Sequence, residues 1–179
     1  FNSSSDQIFV PQALEFDGTN DYVVVADNSD FNITNNITVG CWAKSDSSSL
    51  GATEVLMSKF NDDSNKREWL MSLDTKINFT VSGDGTWGNR LVCTQNGTLS
   101  KINEWHHYAA TYASGTITLY VDGSVVASTT TSTGSPGTTI FNGDADFIIG
   151  GYGTEGVHGQ LIRLGSGRDY KGKIFTTHG

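Results

Sequence analysis

Apolar and polar residues alternate along most of this chain with a period of two, the repeat of a β-strand with one buried face. No stretch carries the i, i+3, i+4, i+7 apolar stripe of an amphipathic helix without a glycine or a polar cluster interrupting it. The spacing of strands and turns predicts an all-β fold, a two-sheet antiparallel β-sandwich. The predicted strands are 37–44, 54–60, 67–73, 76–82, 90–94, 104–112, 116–121, 124–128 and 146–150.

The turns between these strands differ in how strongly they are specified. Asp122-Gly123 predicts a two-residue hairpin, because Asp and Gly readily adopt the positive φ that such a turn requires. Segments 13–16 and 21–25 flank a second turn signal and predict an opening hairpin. The Thr-, Ser- and Gly-rich stretch 129–143 predicts a long exposed crossover.

Composition and charge narrow the classes of partner. The chain has 179 residues, enough for one domain with its own core, and a formal net charge of −8. This charge disfavours nucleic acid and anionic membrane surfaces as partners. No apolar run approaches the ~18 residues of a membrane span, so membrane insertion is not expected. The chain starts at Phe1 without the pattern of a signal peptide, and we expect it to be a processed or excised piece.

Two cysteines, Cys41 and Cys93, are too few for a disulfide framework and lack zinc-site spacing. They can form one bridge or stay reduced. Cys41 lies in an alternating apolar run, which predicts a small buried core residue.

Four segments carry a family resemblance. Residues 104–112 read EWHHYAATY and residues 116–123 read TITLYVDG. Together with 13–23 and 37–44, in the same order, they resemble the signature of laminin-G-like and pentraxin-like jelly rolls. The resemblance implies a concanavalin A-like β-sandwich, extracellular or at the cell surface, that binds ligands and is not an enzyme.

The resemblance covers about residues 13–160, which leaves an N-terminal arm, 1–12, and an atypical tail, 161–179. The family closes with an acidic strand, whereas the tail is basic and alternates weakly. A reading-frame slip in the source DNA is one hypothesis for this departure. On that hypothesis the last strand is lost.

A dense group of oxygen-bearing side chains between two predicted strands suggests a calcium site, because calcium prefers six to eight oxygen ligands. Pentraxin-like relatives place calcium ligands near this position and in a later loop. The same Asp and Asn residues are equally well suited to bending turns, and the opening turn is a second candidate site. The predicted ligands are Asn61, Asp62, Asp63, Asn65 and Glu155.

Two aromatic residues in glycine-rich loops are candidates for binding a sugar, which requires an exposed aromatic plate beside polar groups. They are Trp87 and Tyr152, with Asn89 as a polar neighbour. We expect loops 60–66, 83–89 and 151–156 to form a rim that recognises a carbohydrate or glycoprotein. The tryptophans within strands are predicted to be core residues; they are Trp42, Trp69 and Trp105.

Two other functions stay open. Glycoside hydrolases of this fold carry a Glu-x-Asp-x-x-Glu strand motif, and the nearest match here runs from Glu15 to Asn20 with Asn at its last position. A structural or adhesive domain of a larger surface protein is the other alternative. His106 and His107 are predicted to be core or hydrogen-bonding residues. The sequence leaves the oligomeric state undetermined.

Overall fold

The computed structural model describes residues 13–16, 21–45, 53–63, 65–99, 103–153, 157–158 and 162–165, the last two ranges by their backbone alone. These residues form fifteen β-strands and one short 3-10 helix, Ser29–Phe31. The strands are β1 Ala13–Phe16, β2 Val23–Val25, β3 Asn36–Ser45, β4 Glu54–Asn61, β5 Lys66–Leu73, β6 Ile77–Ser82, β7 Arg90–Thr94, β8 His106–Ala113, β9 Thr116–Val121, β10 Ser124–Ala127, β11 Thr130–Thr133, β12 Phe147–Ile149, β13 Gly151–Tyr152, β14 Val157–His158 and β15 Ile162–Gly165.

The strands form two antiparallel sheets that pack face to face. The six-stranded sheet has the order β1-β15-β3-β8-β9-β10, and the seven-stranded sheet has the order β11-β7-β6-β5-β4-β12-β2. β13 and β14 make a small separate pair. The all-β sandwich predicted from the alternation is confirmed. None of the described residues forms a helix long and apolar enough to cross a membrane.

The core follows from the alternation, because successive side chains of a strand point to opposite faces. β3 buries every second residue from Ile37 to Ala43, and Cys41 is among them, as predicted. Facing it, β5 and β6 contribute Trp69 and Phe79, whose ring centroids lie 6.2 Å apart. Both cysteines are buried and unpaired.

Two β-bulges alter the alternation in the seven-stranded sheet. Between Val55 and Met57 the register with β5 shifts, which leaves Leu56 as an extra residue in β4. Between Lys59 and Phe60 the register shifts again, and Glu68 is the extra residue of β5. Bulges re-aim side chains, and here they bring two charged residues, Lys59 and Glu68, into a buried position.

The strongest local predictions are confirmed. All nine predicted strands occur with ends shifted by at most two residues. The Asp122-Gly123 turn joins β9 and β10, and both residues have positive φ, 50° and 79°.

Two predictions about connections are wrong, and the tail contributes a strand that is lost on the frame-slip hypothesis. β1 and β2 do not form a hairpin; they lie in different sheets, where β1 pairs with β15 and β2 with β12. The stretch 129–143 is not only a crossover, because it contains β11, which pairs with β7. Residues 162–165 of the atypical tail form β15 between β1 and β3, so the closing strand is present.

Candidate functional site

Two of the three predicted rim loops are locked together at one end of the sandwich. Gly85 has a φ of +83°, and a Cβ on it would lie 2.0 Å from the carbonyl oxygen of Asn65. Only glycine permits this close approach. Arg67 fastens the same contact, because its backbone N–H and its guanidinium both donate to the Gly85 carbonyl. Loops 61–65 and 83–89 therefore behave as one unit.

The third segment, 150–153, runs along β4. The backbone N–H of Gly150 donates to the Leu56 carbonyl at 3.2 Å, and that of Gly153 donates to the Phe60 carbonyl at 2.9 Å. The Ser58 hydroxyl donates to the Gly151 carbonyl at 2.8 Å. These bonds place Tyr152 beside Phe60, although the two residues are far apart in the chain.

Three aromatic rings meet where the loops converge. Phe60 contacts Trp87 edge to face at 6.0 Å between ring centroids, and it contacts Tyr152 in the same way at 5.8 Å. Phe60 is buried, whereas Trp87 is 52% exposed. The fixed ring of Phe60 thus holds two partly exposed rings, Trp87 and Tyr152, at the surface.

The rings line a surface pocket of about 260 Å³ with both apolar and polar walls. Desolvation and then the nearby Asp62 carboxylate raise the pKa of the Tyr152 hydroxyl, so it stays a hydrogen-bond donor at neutral pH. The Asp62 carboxylate is half exposed. The lining residues are Thr53, Val55, Phe60, Asp62, Leu70, Trp87 and Tyr152.

The Trp87 loop is held by its own hydrogen bonds. Asp84 accepts from the backbone N–H and the hydroxyl of Thr86 and from the amide of Asn89. The bond from Asn89 and the bonds from Thr86 lower the pKa of the Asp84 carboxyl. The Arg90 guanidinium lies 4.0 Å from the centroid of the Trp87 ring and donates to the Trp87 carbonyl. Trp87 is therefore exposed and held in place.

Of the three residues predicted to bind a sugar, the structure brings two together. Trp87 and Tyr152 share the pocket. Asn89 does not line it: its side-chain amide donates to Asp84 at 2.6 Å, and its side-chain oxygen accepts from the Ser135 N–H at 2.8 Å. Asn89 thus holds the loop and does not face the pocket.

Two of the five predicted calcium ligands, Asp62 and Asn65, accept hydrogen bonds from an arginine. Arg67 Nε donates to Asp62 Oδ1 at 2.6 Å, and Arg67 Nη1 donates to Asn65 Oδ1 at 2.8 Å. Asn61 Oδ1 accepts from the Asp63 backbone N–H. In this arrangement the oxygens do not fit a calcium site, because a guanidinium already occupies the place of a cation.

The remaining calcium ligand, Glu155, lies outside the described residues. Within the part of the chain that the structure describes, no group of three Asp, Glu, His or Cys side chains could hold a metal ion. Calcium binding stays a prediction, and it requires Arg67 to move.

The other candidates have structural surroundings. His106 Nδ1 donates to Asp122 Oδ2 at 2.7 Å, a hydrogen-bonding role as predicted. Trp69 is buried as predicted, while Trp42 and Trp105 are half-buried. Of the hydrolase-like motif, Glu15 lies exposed on the edge strand β1, and Asp17 and Asn20 lie outside the described residues.

Sequence reasoning missed two residues that build the pocket. Phe60 ends the predicted strand 54–60 and directly precedes the Asn61–Asp62 cluster. This position at the edge of a candidate loop is the signal that could have indicated a role in the site. Arg90 begins the next strand after the Trp87 loop, and its spacing of three residues from Trp87 gave no indication of stacking. The contacts of Phe60 with Trp87 and Tyr152 depend on tertiary structure, whereas the contact of Arg90 with Trp87 is local and depends on the conformation of the loop.

Comparisons with known proteins agree with this architecture. A laminin-G family model, described as the concanavalin A-like lectin/glucanases superfamily, matches residues 17–164. Among solved structures, mouse laminin alpha1 chain, domains LG4-5, is similar with a TM-score of 0.58 and 15% sequence identity. That match covers 86% of this chain and 40% of the laminin chain, so this chain spans less than half of its length. No curated protein matches the chain.

Laminin-G-like domains are generally non-catalytic, typically extracellular, and bind partners such as glycoproteins and carbohydrates. The family match includes 162–164, residues of the closing strand. The family model covers most of the chain, and the sheet order is that of a jelly-roll sandwich. The chain therefore belongs to the laminin-G-like family of the concanavalin A-like superfamily.

Proposed function

We propose that this chain is a non-catalytic binding module, extracellular or at the cell surface, that holds a carbohydrate or the glycan of a glycoprotein in the pocket beside Trp87. The observation that supports the proposal best is the edge-to-face packing of Trp87 and Tyr152 on Phe60. A tryptophan that is half exposed costs hydrophobic free energy unless a ligand covers it. In this pocket the ring is also held in place before any ligand arrives.

The chemistry of the walls favours a sugar. The apolar face of a sugar ring can stack on an aromatic plate while its hydroxyls meet polar groups. Tyr152 supplies a hydroxyl donor and Asp62 a carboxylate acceptor at the same pocket. Arg67 pairs with Asp62, which keeps the local charge close to neutral.

The size of the pocket favours a small occupant. Its volume of about 260 Å³ lies just below the roughly 300–1,000 Å³ of common small-molecule sites. One sugar ring, or the end of a chain, suits it better than an enclosed oligosaccharide. Ordering a single ring also costs little conformational entropy, so useful affinity does not require a large buried area.

The test is a glycan array probed with the purified chain and with Trp87→Ala. The expected result is binding to a defined sugar class that falls at least tenfold in the variant. Val125→Ala is the matched control, because Val125 is an apolar residue of 59% exposure on β10, in the other sheet. Equal binding by the chain and Trp87→Ala would contradict the proposal, as would an equal loss in Val125→Ala.

The array is run in calcium and in EDTA. Binding that requires calcium would support a calcium site, either at the ligands predicted around residues 61–65 or at the opening turn. Binding that is equal in both buffers would assign Asp62 to the pocket wall and to the Arg67 ion pair.

A structural or adhesive role is the second candidate, and one observation favours it. Exposed apolar side chains lie on the edge strands of both sheets: Leu14 on β1 and Val24 and Val25 on β2. Edge strands with apolar side chains can pair with another chain. No binding on the array, together with association that Val24→Lys abolishes in sedimentation, would favour this role.

A further inference from the structure

A buried ion cluster lies behind the wall of the pocket. It consists of Lys59, Glu68 and Asp27, and the first two side chains are each 1% exposed. Lys59 Nζ is 2.5 Å from Glu68 Oε1 and 2.8 Å from Asp27 Oδ1. Both strands of the cluster are adjacent to the pocket: Phe60, which lines it, follows Lys59, and Arg67, which pairs with Asp62 of the pocket wall, precedes Glu68.

The charges in this cluster do not balance. One ammonium faces two carboxylates, so the cluster carries one excess negative charge when all three groups are ionised. An excess charge in a buried site is expensive, and the usual response is uptake of a proton. Glu68 is the carboxylate that takes it, because Asp27 is 25% exposed and reaches solvent. In addition, Glu68 Oε2 is buried without a hydrogen-bond partner among the described residues.

The other charged groups around the cluster are accounted for. Asp146 accepts from the Asp27 backbone N–H at 2.9 Å. Lys66 and Asp144 pair with each other at the surface, 2.8 Å apart. Desolvation, opposed by Lys59 and the Gly143 N–H, raises the pKa of Glu68 to about 7. The geometry and the raised pKa therefore indicate the same group.

Glu68 is connected to the pocket through one segment. Its Oε1 accepts from the Gly143 N–H of segment 140–146 at 3.0 Å. The same segment is also held by the Ile140 N–H, which donates to the Thr34 carbonyl at 2.7 Å, and by the Phe141 N–H, which donates to the Ser82 carbonyl at 2.8 Å. The ring of Phe141 in this segment lies against both Gly143 and Gly85: a Cβ on either glycine would meet its Cε1 within 2.8 Å. Gly85 belongs to loop 83–89, which carries Trp87. The contacts thus run from Glu68 to Gly143, Phe141, Gly85 and the Trp87 loop.

We propose that the buried Glu68 carboxyl carries a proton while segment 140–146 lies closed over it, and that its ionisation loosens this segment from loop 83–89, so that the pocket is more firmly ordered at pH 5.5 than at pH 8. When Glu68 loses its proton, the excess charge favours states in which the segment opens and water reaches the carboxylate. The consequence for a ligand rests on the proposed function: a preformed pocket binds more tightly, so affinity rises as the pH falls.

Hydrogen exchange measured by mass spectrometry tests the proposal without a ligand. Rates are corrected for the intrinsic pH dependence of exchange. In the natural chain, peptides covering 83–89 and 140–146 are expected to exchange at least about fivefold faster at pH 8 than at pH 5.5, as local opening increases. A peptide over β9 serves as the internal reference. Equal corrected rates at both pH values would overturn the proposal.

Glu68→Gln is the decisive variant, because its amide oxygen can still accept from Gly143 but cannot ionise. Its loops are expected to exchange at the same corrected rate at both pH values. Asp144→Asn is the matched control: it removes a surface carboxylate of the same segment that pairs with Lys66 and interacts more weakly with Lys59, it leaves Glu68 able to ionise, and it is expected to keep a pH dependence. A pH dependence in Glu68→Gln equal to that of the natural chain would overturn the proposal.

A second variant covers the case in which Glu68→Gln does not fold. Asp27→Asn removes the excess charge while Lys59 and Glu68 stay paired, so the exchange transition is expected to move to lower pH. An unchanged transition would contradict the role of the ion cluster.

If the array identifies a sugar, its affinity is expected to fall at least threefold from pH 5.5 to pH 8. A chain with pH-dependent loops and no glycan binding would contradict only the proposed function.

Discussion

The ring of Phe60 meets the ring of Trp87 edge to face, at 6.0 Å and 89°, and it is the buried member of the pair that fixes the exposed one. Phe60 also holds Tyr152 and lies 5.9 Å from the Arg67 guanidinium. A single buried ring therefore orients both partly exposed rings of the pocket, Trp87 and Tyr152.

The two rings of this pair are expected to differ in their effect on stability. Phe60→Ala should lower the free energy of unfolding by about 3–5 kcal/mol, the usual cost of removing a buried phenylalanine. Trp87→Ala should cost about 1 kcal/mol, because an exposed ring loses mainly its contacts with Phe60 and Arg90. Urea denaturation measures both. Equal costs would show that Trp87 is a core residue and would weaken its role as a ligand platform.

Replacing Gly85 by alanine is expected to lower the free energy of unfolding more than the same change at Gly97, a glycine with a similar backbone conformation. Gly97 has a φ of +79° and open space around its Cβ position, whereas Gly85 has a φ of +83° and Asn65 at 2.0 Å. Gly97→Ala should cost about 1 kcal/mol from backbone strain alone. Gly85→Ala should cost at least twice as much and reduce ligand binding, because the two loops must separate. Thermal unfolding of both variants checks this, and similar losses would argue against the contact.

Asp122 is expected to stabilise the β9–β10 turn only while it is ionised. Burial acts to raise the pKa of Asp122, but hydrogen bonds from His106 and from the His107 backbone outweigh it and lower the pKa. The stabilisation is therefore complete above the ordinary pKa of an aspartate, about 4. It is lost as the pH falls through the lower pKa that Asp122 has in the folded chain.

Asp122→Asn tests this, because Asn tolerates the same positive φ without the charge. We expect it to cost about 1 kcal/mol at pH 7, since the pair is partly exposed. The difference in unfolding free energy should shrink towards zero near pH 2. A constant difference across this range would show that the turn depends on shape and not on charge.

Glu68 is expected to give the opposite pH dependence. Its pKa is raised from 4.5 to about 7 by burial, so the folded chain binds the proton more tightly than the unfolded chain. The contribution of Glu68 is fully present below pH 4.5 and is lost as the pH rises through about 7. Relative to Glu68→Gln, the natural chain should lose on the order of 3 kcal/mol over this window. Urea denaturation of both chains at pH 4.5, 6 and 8 measures this loss. If the unfolding free energy of the natural chain rose relative to that of Glu68→Gln as the pH increased, the raised pKa of Glu68 would be wrong.

The strand segments and the Asp122–Gly123 hairpin could be predicted because both depend on local chemistry. Alternation fixes which side chains of a strand share a face, and positive φ fixes which residues can form a two-residue turn. The exposed position of Trp87 also followed from the glycines around it. None of these features requires knowledge of which strands become neighbours.

The pairing of distant strands could not be predicted from local patterns. The chain from β1 to β2 crosses between sheets, and β15 returns from a weakly patterned tail to pair with β1. Local patterns do not encode such pairings, because their stability comes from partners distant in the chain. The prediction of an opening hairpin failed for this reason.

The same limit applies to the site. Local patterns were enough to predict an all-β sandwich with an exposed aromatic residue in a glycine-rich loop. Tertiary structure decided that Phe60 and Tyr152 touch, that Arg67 occupies the oxygen cluster, and that two bulges place Lys59 and Glu68 in the interior. Each of these depends on strand register, and a shift of one residue would point every one of these side chains to the other face of the sheet.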